Sequence, residues 1–181
     1  MNPIRTPRLI LRPLERTDLR AIHRLYSDPE LMRYITGHPR TPRQSAARLR
    51  KDLKHHREYG FGLCLALWAE DGRPIGRCGL EPVPTAHGLD GEAAWMFTRE
   101  WWGRGLATEA GRALIEFGLG EVGLRRVYAE ADRGNPASLA VMKRLGMRPA
   151  GERGDTLIYE AVRDGGSPWP HLTATAPVRS P

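Results

Sequence analysis

The sequence predicts an α/β (α+β) domain, one β-sheet flanked by helices, and three observations point there. Strand-like and helix-like segments follow one another in the order β-α-α-β-β-β-α-β-α-β-β, about seven strands and about four helices. The helical segments carry recognisable start and stop residues. The length, 181 residues, suits one globular domain, and 40% hydrophobic with 27% charged residues matches a soluble protein.

Arg8-Leu-Ile-Leu-Arg-Pro-Leu14 reads as the first strand. Thr17-Asp18 opens a helix with Leu19, Ile22, His23, Leu25 and Tyr26 on one side, and Pro29 starts a short further turn to Tyr34. Thr41-Pro42-Arg43-Gln44 is a capping box with proline at the first helical position, so a helix should run to Tyr59 and stop at Gly60. Its basic residues (Arg48, Arg50, Lys51, Lys54, Arg57) read as a solvated face.

Phe61 to Glu70 is apolar at successive positions, as in a central strand. Asp71-Gly72 is a hairpin signal, and Pro74 to Val83 returns as the next strand. A two-residue turn there leaves Cys64 and Cys78 one position out of register, on opposite faces, as free buried thiols suited to a reducing compartment. Pro84 to Gly91 reads as a loop and Glu92 to Thr98 as a strand. Leu106 to Leu119 is an amphipathic helix ended by Gly118, Gly120 and Gly123. Strands at 124–131, 147–152 and 156–162 and a helix at 136–145 complete the domain, 1–163. A Pro/Gly-rich tail, 164–181, follows.

No apolar run reaches the ~18–20 residues of a membrane span, and Met1–Arg5 leads into no apolar leader core, so the expected location is the cytoplasm. The formal charge is +7, almost all of the cations being arginine. Such a field favours anionic partners. No RNP motif, KH loop or basic–aromatic stripe accompanies it, which leaves an RNA-associated basic protein as the weakest of the readings. The histidines are scattered and form no metal-ligand pattern.

Chemistry concentrates in two stretches. Trp102-Gly103-Arg104-Gly105-Leu106-Ala107-Thr108 lies between a strand and a helix start. Its glycines permit sharp turns and close approach, and the free amides of a helix N-terminus suit a diphosphate. It is neither GxGxxG, since Thr108 holds the third glycine position, nor a Walker loop. Asn135-Pro136-Ala137-Ser138 precedes the next helix, where Asn135 reads as an N-cap, with Leu145-Gly146-Met147 at its end.

Together these stretches resemble the GNAT superfamily of N-acetyltransferases over residues 8 to 163. Thr6-Pro-Arg-Leu-Ile-Leu-Arg-Pro13 and Trp102-Gly-Arg-Gly-Leu-Ala-Thr-Glu-Ala110 are similar to the ribosomal-protein N-terminal acetyltransferase branch. Glu100 stands where the family's loop signature starts with Gln or Arg. The resemblance implies a mixed, mostly antiparallel sheet splayed at the cofactor strand. It implies acetyl-CoA as co-substrate, no metal, and an amine acceptor that is a small molecule or a protein N-terminus. It implies that the pantetheine arm lies along Trp95 to Thr98, beside the main chain of Met96, Phe97 and Thr98. An amide near Phe97 would then polarise the thioester carbonyl. Gly103, Arg104, Gly105, Ala107 and Thr108 would hold the diphosphate, and Asn135 would bond pantetheine or hold its loop. Glu92 matches a position where relatives keep a glutamate acting as base through water, the alternative being a surface carboxylate near a hairpin loop; Glu130 is a second candidate. Relatives with a proton-donating tyrosine carry it where this chain has Met142, which leaves Ser138 as the nearest donor to the departing sulfur. Loss of catalysis with retained acyl-CoA or peptide binding is the competing reading. The molecule is expected to be a monomer or homodimer.

Overall fold

The computed structural model describes residues 1–162; the expected tail lies outside the described residues. Eight strands form one sheet: β1 (Ile4–Arg5), β2 (Leu9–Pro13), β3 (Leu63–Trp68), β4 (Pro74–Thr85), β5 (Gly88–Phe97), β6 (Arg126–Asp132), β7 (Arg148–Arg153) and β8 (Thr156–Val162). Their order is β1-β2-β3-β4-β5-β6-β8-β7, and only β5 and β6 pair in parallel. The helices are α1 (Leu19–Tyr26), α2 (Pro29–Met32), α3 (Pro42–Tyr59), α4 (Leu106–Glu116) and α5 (Pro136–Arg144). The fold is the mixed, mostly antiparallel α/β sheet expected, with one more strand: Ile4 and Arg5 pair with Leu11 and Ile10. Two residues are too few for periodicity to disclose.

The sheet separates two cores. Leu9, Leu11, Ile75, Leu80, Phe97, Leu106, Leu114 and Met142 belong to the one beneath α4 and α5. Ile22, Tyr26, Met32, Leu49, Leu63, Leu65 and Met96 form the other, under α1 and α3. Alternation along each strand divides side chains between these cores. The capping signals of α3 work as read. Thr41 Oγ1 accepts the Gln44 amide at 3.3 Å, Gln44 Oε1 accepts the Thr41 amide at 2.8 Å, and Gly60 ends the helix at φ +77°. Such a cap is worth about 1 kcal/mol.

Four expectations need correction. Pro84 to Gly91 is not a loop: β4 and β5 run on to a tight turn at Ala86-His87, with Pro84 opposite Leu89. Thr85 closes that turn, its hydroxyl donating to the Gly88 carbonyl and accepting the His87 amide. Pro82 and Pro84 share parity, and β3 has ended at the Leu63–Gly79 pair. Their missing donors can therefore face an edge with no partner strand. Cys64 and Cys78 are direct cross-strand partners on one face, both fully buried free thiols. The β3–β4 connection is longer than two residues and a bulge between Ala66 and Leu67 shifts the register. Burial pushes the Cys64 thiol up to about 12, so neither is a nucleophile. Leu19 is exposed rather than on the buried side of α1.

The basic face of α3 is only partly solvated. Arg48 lies against the sheet, donating from Nε to Asp52 at 2.9 Å and from Nη2 to Glu81 of β4. Lys51 reaches Glu81 at 2.7 Å. Asp52 is fully buried, with Arg77 Nη1 4.0 Å away, and Arg77 donates to the Tyr26 hydroxyl. Burial raises the Asp52 carboxyl more than Arg48 and Arg77 lower it. Sequence periodicity marks which residues share a helix face but not which acids of a distant strand meet them.

Candidate active site

β5 is the axis of the site. It pairs with β4 along its whole length. With β6 it pairs only at Gly91–Val127 and Glu92–Tyr128, after which the two strands part. The Thr98 amide donates to the Ile75 carbonyl on the β4 side. By alternation, the N–H and C=O groups of Ala93, Trp95 and Phe97 face the other edge, into the gap. The Phe97 carbonyl is taken by the Trp102 indole N–H at 2.7 Å, so the Phe97 amide is the last main-chain donor aimed there. Met96 contributes its side chain to the α1/α3 core, and Thr98 also places its hydroxyl on the Ile75 carbonyl at 3.3 Å.

At the end of β5 the chain passes through a buried Trp101 into the glycine loop. Gly103 and Gly105 have φ of +71° and +76°, a region that costs other residues about 1–2 kcal/mol. A Cβ on Gly103 would meet nothing within 4 Å, so the space beside that residue is open. Gly105 is the N-cap of α4 and supplies no side-chain cap; the first intrahelical bond is Glu109 N–H to Gly105 carbonyl at 3.0 Å. The amides of Leu106, Ala107 and Thr108 precede it and stay available at the positive end of the helix. The Thr108 hydroxyl is buried without a partner. These features fit a diphosphate. The Arg104 guanidinium lies 4.7 Å from the Trp101 ring centroid. Trp101 also stacks on Trp68 at 4.7 Å, so tryptophan packing fixes the loop's base. Beside it, Arg24, Arg73, Arg104, Glu100, Pro74 and Trp101 line a cavity of about 420 Å³. The unexpected Glu100 pairs there with Arg24 at 3.8 Å.

Glu92 sits in mid-strand where β4, β5 and β6 meet, not at a surface hairpin. Glu81 is its direct partner on β4, and Tyr128 of β6 donates its hydroxyl to Glu92 Oε2 at 3.4 Å. Glu92 shares parity with Met96, hence the α1/α3 face. Burial raises its carboxyl above 4.5, Glu130 and Glu81 raise it further, and the Tyr128 bond and Arg48 only partly oppose them. Glu130 lies on the same face of β6 as Tyr128 but is paired with Arg153 at 2.7 Å. Sequence reading missed Tyr128 and the Glu81–Arg48–Lys51 cluster, for which no local pattern exists.

Asn135 caps α5, its Oδ1 accepting the Ser138 amide at 3.1 Å. Ser138 is half-buried in the first turn of α5, at the end of the strand that diverges from β5. Met142 is fully buried in the core, so that position offers no proton donor.

A family model described as an acetyltransferase (GNAT) domain matches residues 8–148. An uncharacterized Bacillus subtilis protein, YkkB, is 32% identical over 143 residues, 78% of this chain and 83% of its own. A ribosomal-protein-S5-alanine acetyltransferase structure from Vibrio fischeri superposes with TM-score 0.76 at 17% identity, covering 92% of this chain and 99% of its own. A spermidine N-acetyltransferase structure from Vibrio cholerae, in complex with CoA and spermine, does so at 0.73 and 21%, covering 87% and 96%.

Proposed function

The chain belongs to the GNAT acetyltransferases, and we propose that it moves the acetyl group of acetyl-CoA onto a primary amine, of a protein N-terminus or a small molecule, by direct attack with both substrates bound. One observation carries this reading: β5 loses its parallel partner just past Glu92 and ends in an open glycine loop. The gap offers strand-like pairing to the amides of a pantetheine arm, and the loop offers amides to the diphosphate at the arm's far end. The CoA complex of the V. cholerae fold neighbour supports the same co-substrate. The two named fold neighbours act on different amines, so the acceptor is set no more finely than a primary amine.

Acetyl-CoA supplies an activated thioester. The gap-facing main chain of Trp95 and Phe97 aligns it, Met96 and Thr98 bond to β4 and hold that strand in place, the Phe97 amide polarises the thioester carbonyl, and Gly103, Arg104, Gly105, Ala107 and Thr108 hold the diphosphate through main chain and the Thr108 hydroxyl. A substrate ammonium, with a pKa of about 8 to 10.4, must lose a proton before it can attack. Glu92 takes that proton, directly or through water; its raised affinity for protons and its Tyr128 hydrogen bond suit it to the task. Ser138 donates a hydrogen bond to the departing sulfur, while Asn135 holds the loop that carries it. The test is release of free CoA thiol across a panel of protein N-terminal peptides, amino acids and polyamines, with mass detection of the acetylated product. No thiol release with any amine class would refute the reading.

A further inference from the structure

Arg8 and Glu109 lie 101 positions apart in the chain yet form the tightest polar cluster beside the glycine loop. Arg8 donates to Glu109 Oε2 from Nε at 2.7 Å, with Nη2 2.6 Å from the same oxygen. The Arg8 amide and the Thr6 hydroxyl donate to Glu109 Oε1 at 2.9 and 2.6 Å. The four contacts to Glu109 orient the guanidinium so that Arg8 Nη1, the arm left over, donates to the carbonyl of Arg104 at 2.9 Å. Burial tends to raise the Glu109 carboxyl, but the bonds from Thr6 and Arg8 outweigh it and hold it low, so it stays ionised.

Arg104 is flanked by Gly103 and Gly105, the two residues most able to let a peptide plane rotate. A trans peptide places its C=O and N–H on opposite sides. With the Arg104 carbonyl fixed toward Arg8, the Gly105 N–H is turned away from it. A flip would aim a carbonyl oxygen where the N–H had been.

We infer that Thr6, Arg8 and Glu109 form a positioning latch for cofactor binding: Arg8 pins the Arg104 carbonyl so that the Gly105 amide faces the diphosphate. The inference rests on the proposed role of the loop. It gives the N-terminal strand segment a task in acetyl-CoA affinity, although none of its side chains need touch the cofactor.

The experiment is calorimetry with acetyl-CoA and with S-acetylpantetheine, which lacks the diphosphate, on variants checked by thermal melting. Arg8→Ala should bind acetyl-CoA about tenfold more weakly, the scale of one lost charge-assisted hydrogen bond, and S-acetylpantetheine as the parent does. Arg8→Lys keeps the charge but cannot bridge Glu109 and Arg104 together, so it should also lose affinity. Parental acetyl-CoA affinity in Arg8→Ala overturns the latch. So does full affinity in Arg8→Lys, which reduces Arg8 to a general positive field, or equal losses for both ligands, which reduce it to a packing residue. If Arg8→Ala fails to fold, Arg8→Lys and Glu109→Gln decide by the same criteria. Gly105→Val separates the two levels: if it too leaves acetyl-CoA binding unchanged, the loop assignment has failed; if it alone weakens binding, only the latch has.

Discussion

The C-terminal end of β5 and its middle are arranged by different forces. At the end, the groups offered to a ligand are main-chain amides, set by two positive-φ glycines, a helix start and one buried hydroxyl. In the middle, Glu92 takes its character from burial and then from side chains on three other elements: Glu130 and Tyr128 of β6, Glu81 of β4, and Arg48 of α3. Main-chain recognition tolerates change in side-chain identity, as Arg104 resting on Trp101 illustrates. A proton acceptor whose affinity depends on neighbouring charges does not. The contrast teaches that substitutions near the loop should act on cofactor binding, and those around Glu92 on the pH dependence of the rate.

The largest expected effect is at Glu92. Glu92→Gln should slow turnover near pH 7 by about 10²-fold, with the deficit shrinking at high pH where free amine is abundant. The parent's rate should fall on acidification at a pH above that of an ordinary glutamate, because a base with a raised pKa is lost earlier as pH drops. A pH–rate profile with no acidic limb above 4.5 would move the base elsewhere. Next comes Gly105→Val, which forces a β-branched residue to φ +76° at about 1–2 kcal/mol and should weaken acetyl-CoA binding about five- to thirtyfold. Rates at saturating acetyl-CoA should be little altered; a fall there instead would erase the distinction between the two regions.

Ser138→Ala should lower the single-turnover rate about five- to thirtyfold, one hydrogen bond to a developing charge, with little change in cofactor affinity. An unchanged chemical rate would show that the thiolate leaves unaided and that Ser138 serves only the first turn of α5. The smallest effect belongs to Glu81. Burial would raise its carboxyl, yet Arg48 and Lys51 hold it down at about 2, so it faces Glu92 as a fixed negative charge. Glu81→Gln removes that charge and frees Arg48, and both changes should move the acidic limb to lower pH. The stability that Glu81 contributes is present above its ordinary pKa and disappears as pH falls toward 2. The variant should therefore lose its parent's acid-dependent share of stability between those limits, as read by melting at stepped pH.

Local signals in the sequence determined a great deal here. The caps of α3, the glycine loop before α4, the Asn135 cap and the run of strands and helices all depend on contacts within a few residues, which spacing and residue type encode directly. The same locality explains what misled: 84–91 reads as a loop and Asp71-Gly72 as a two-residue turn, because neither the end of β3 nor the bulge at Ala66/Leu67 is written near them. Only the tertiary structure decided which charges surround Glu92, that Arg48 is a partner of Asp52 and Glu81 rather than a solvated cation, and that Arg8 meets Glu109 and Arg104. Apart from Arg48 and Asp52, four residues apart on α3, those pairings join residues distant in the chain. They arise when strand register and helix docking bring opposite charges together, and a one-residue change in register would have assigned each a different neighbour.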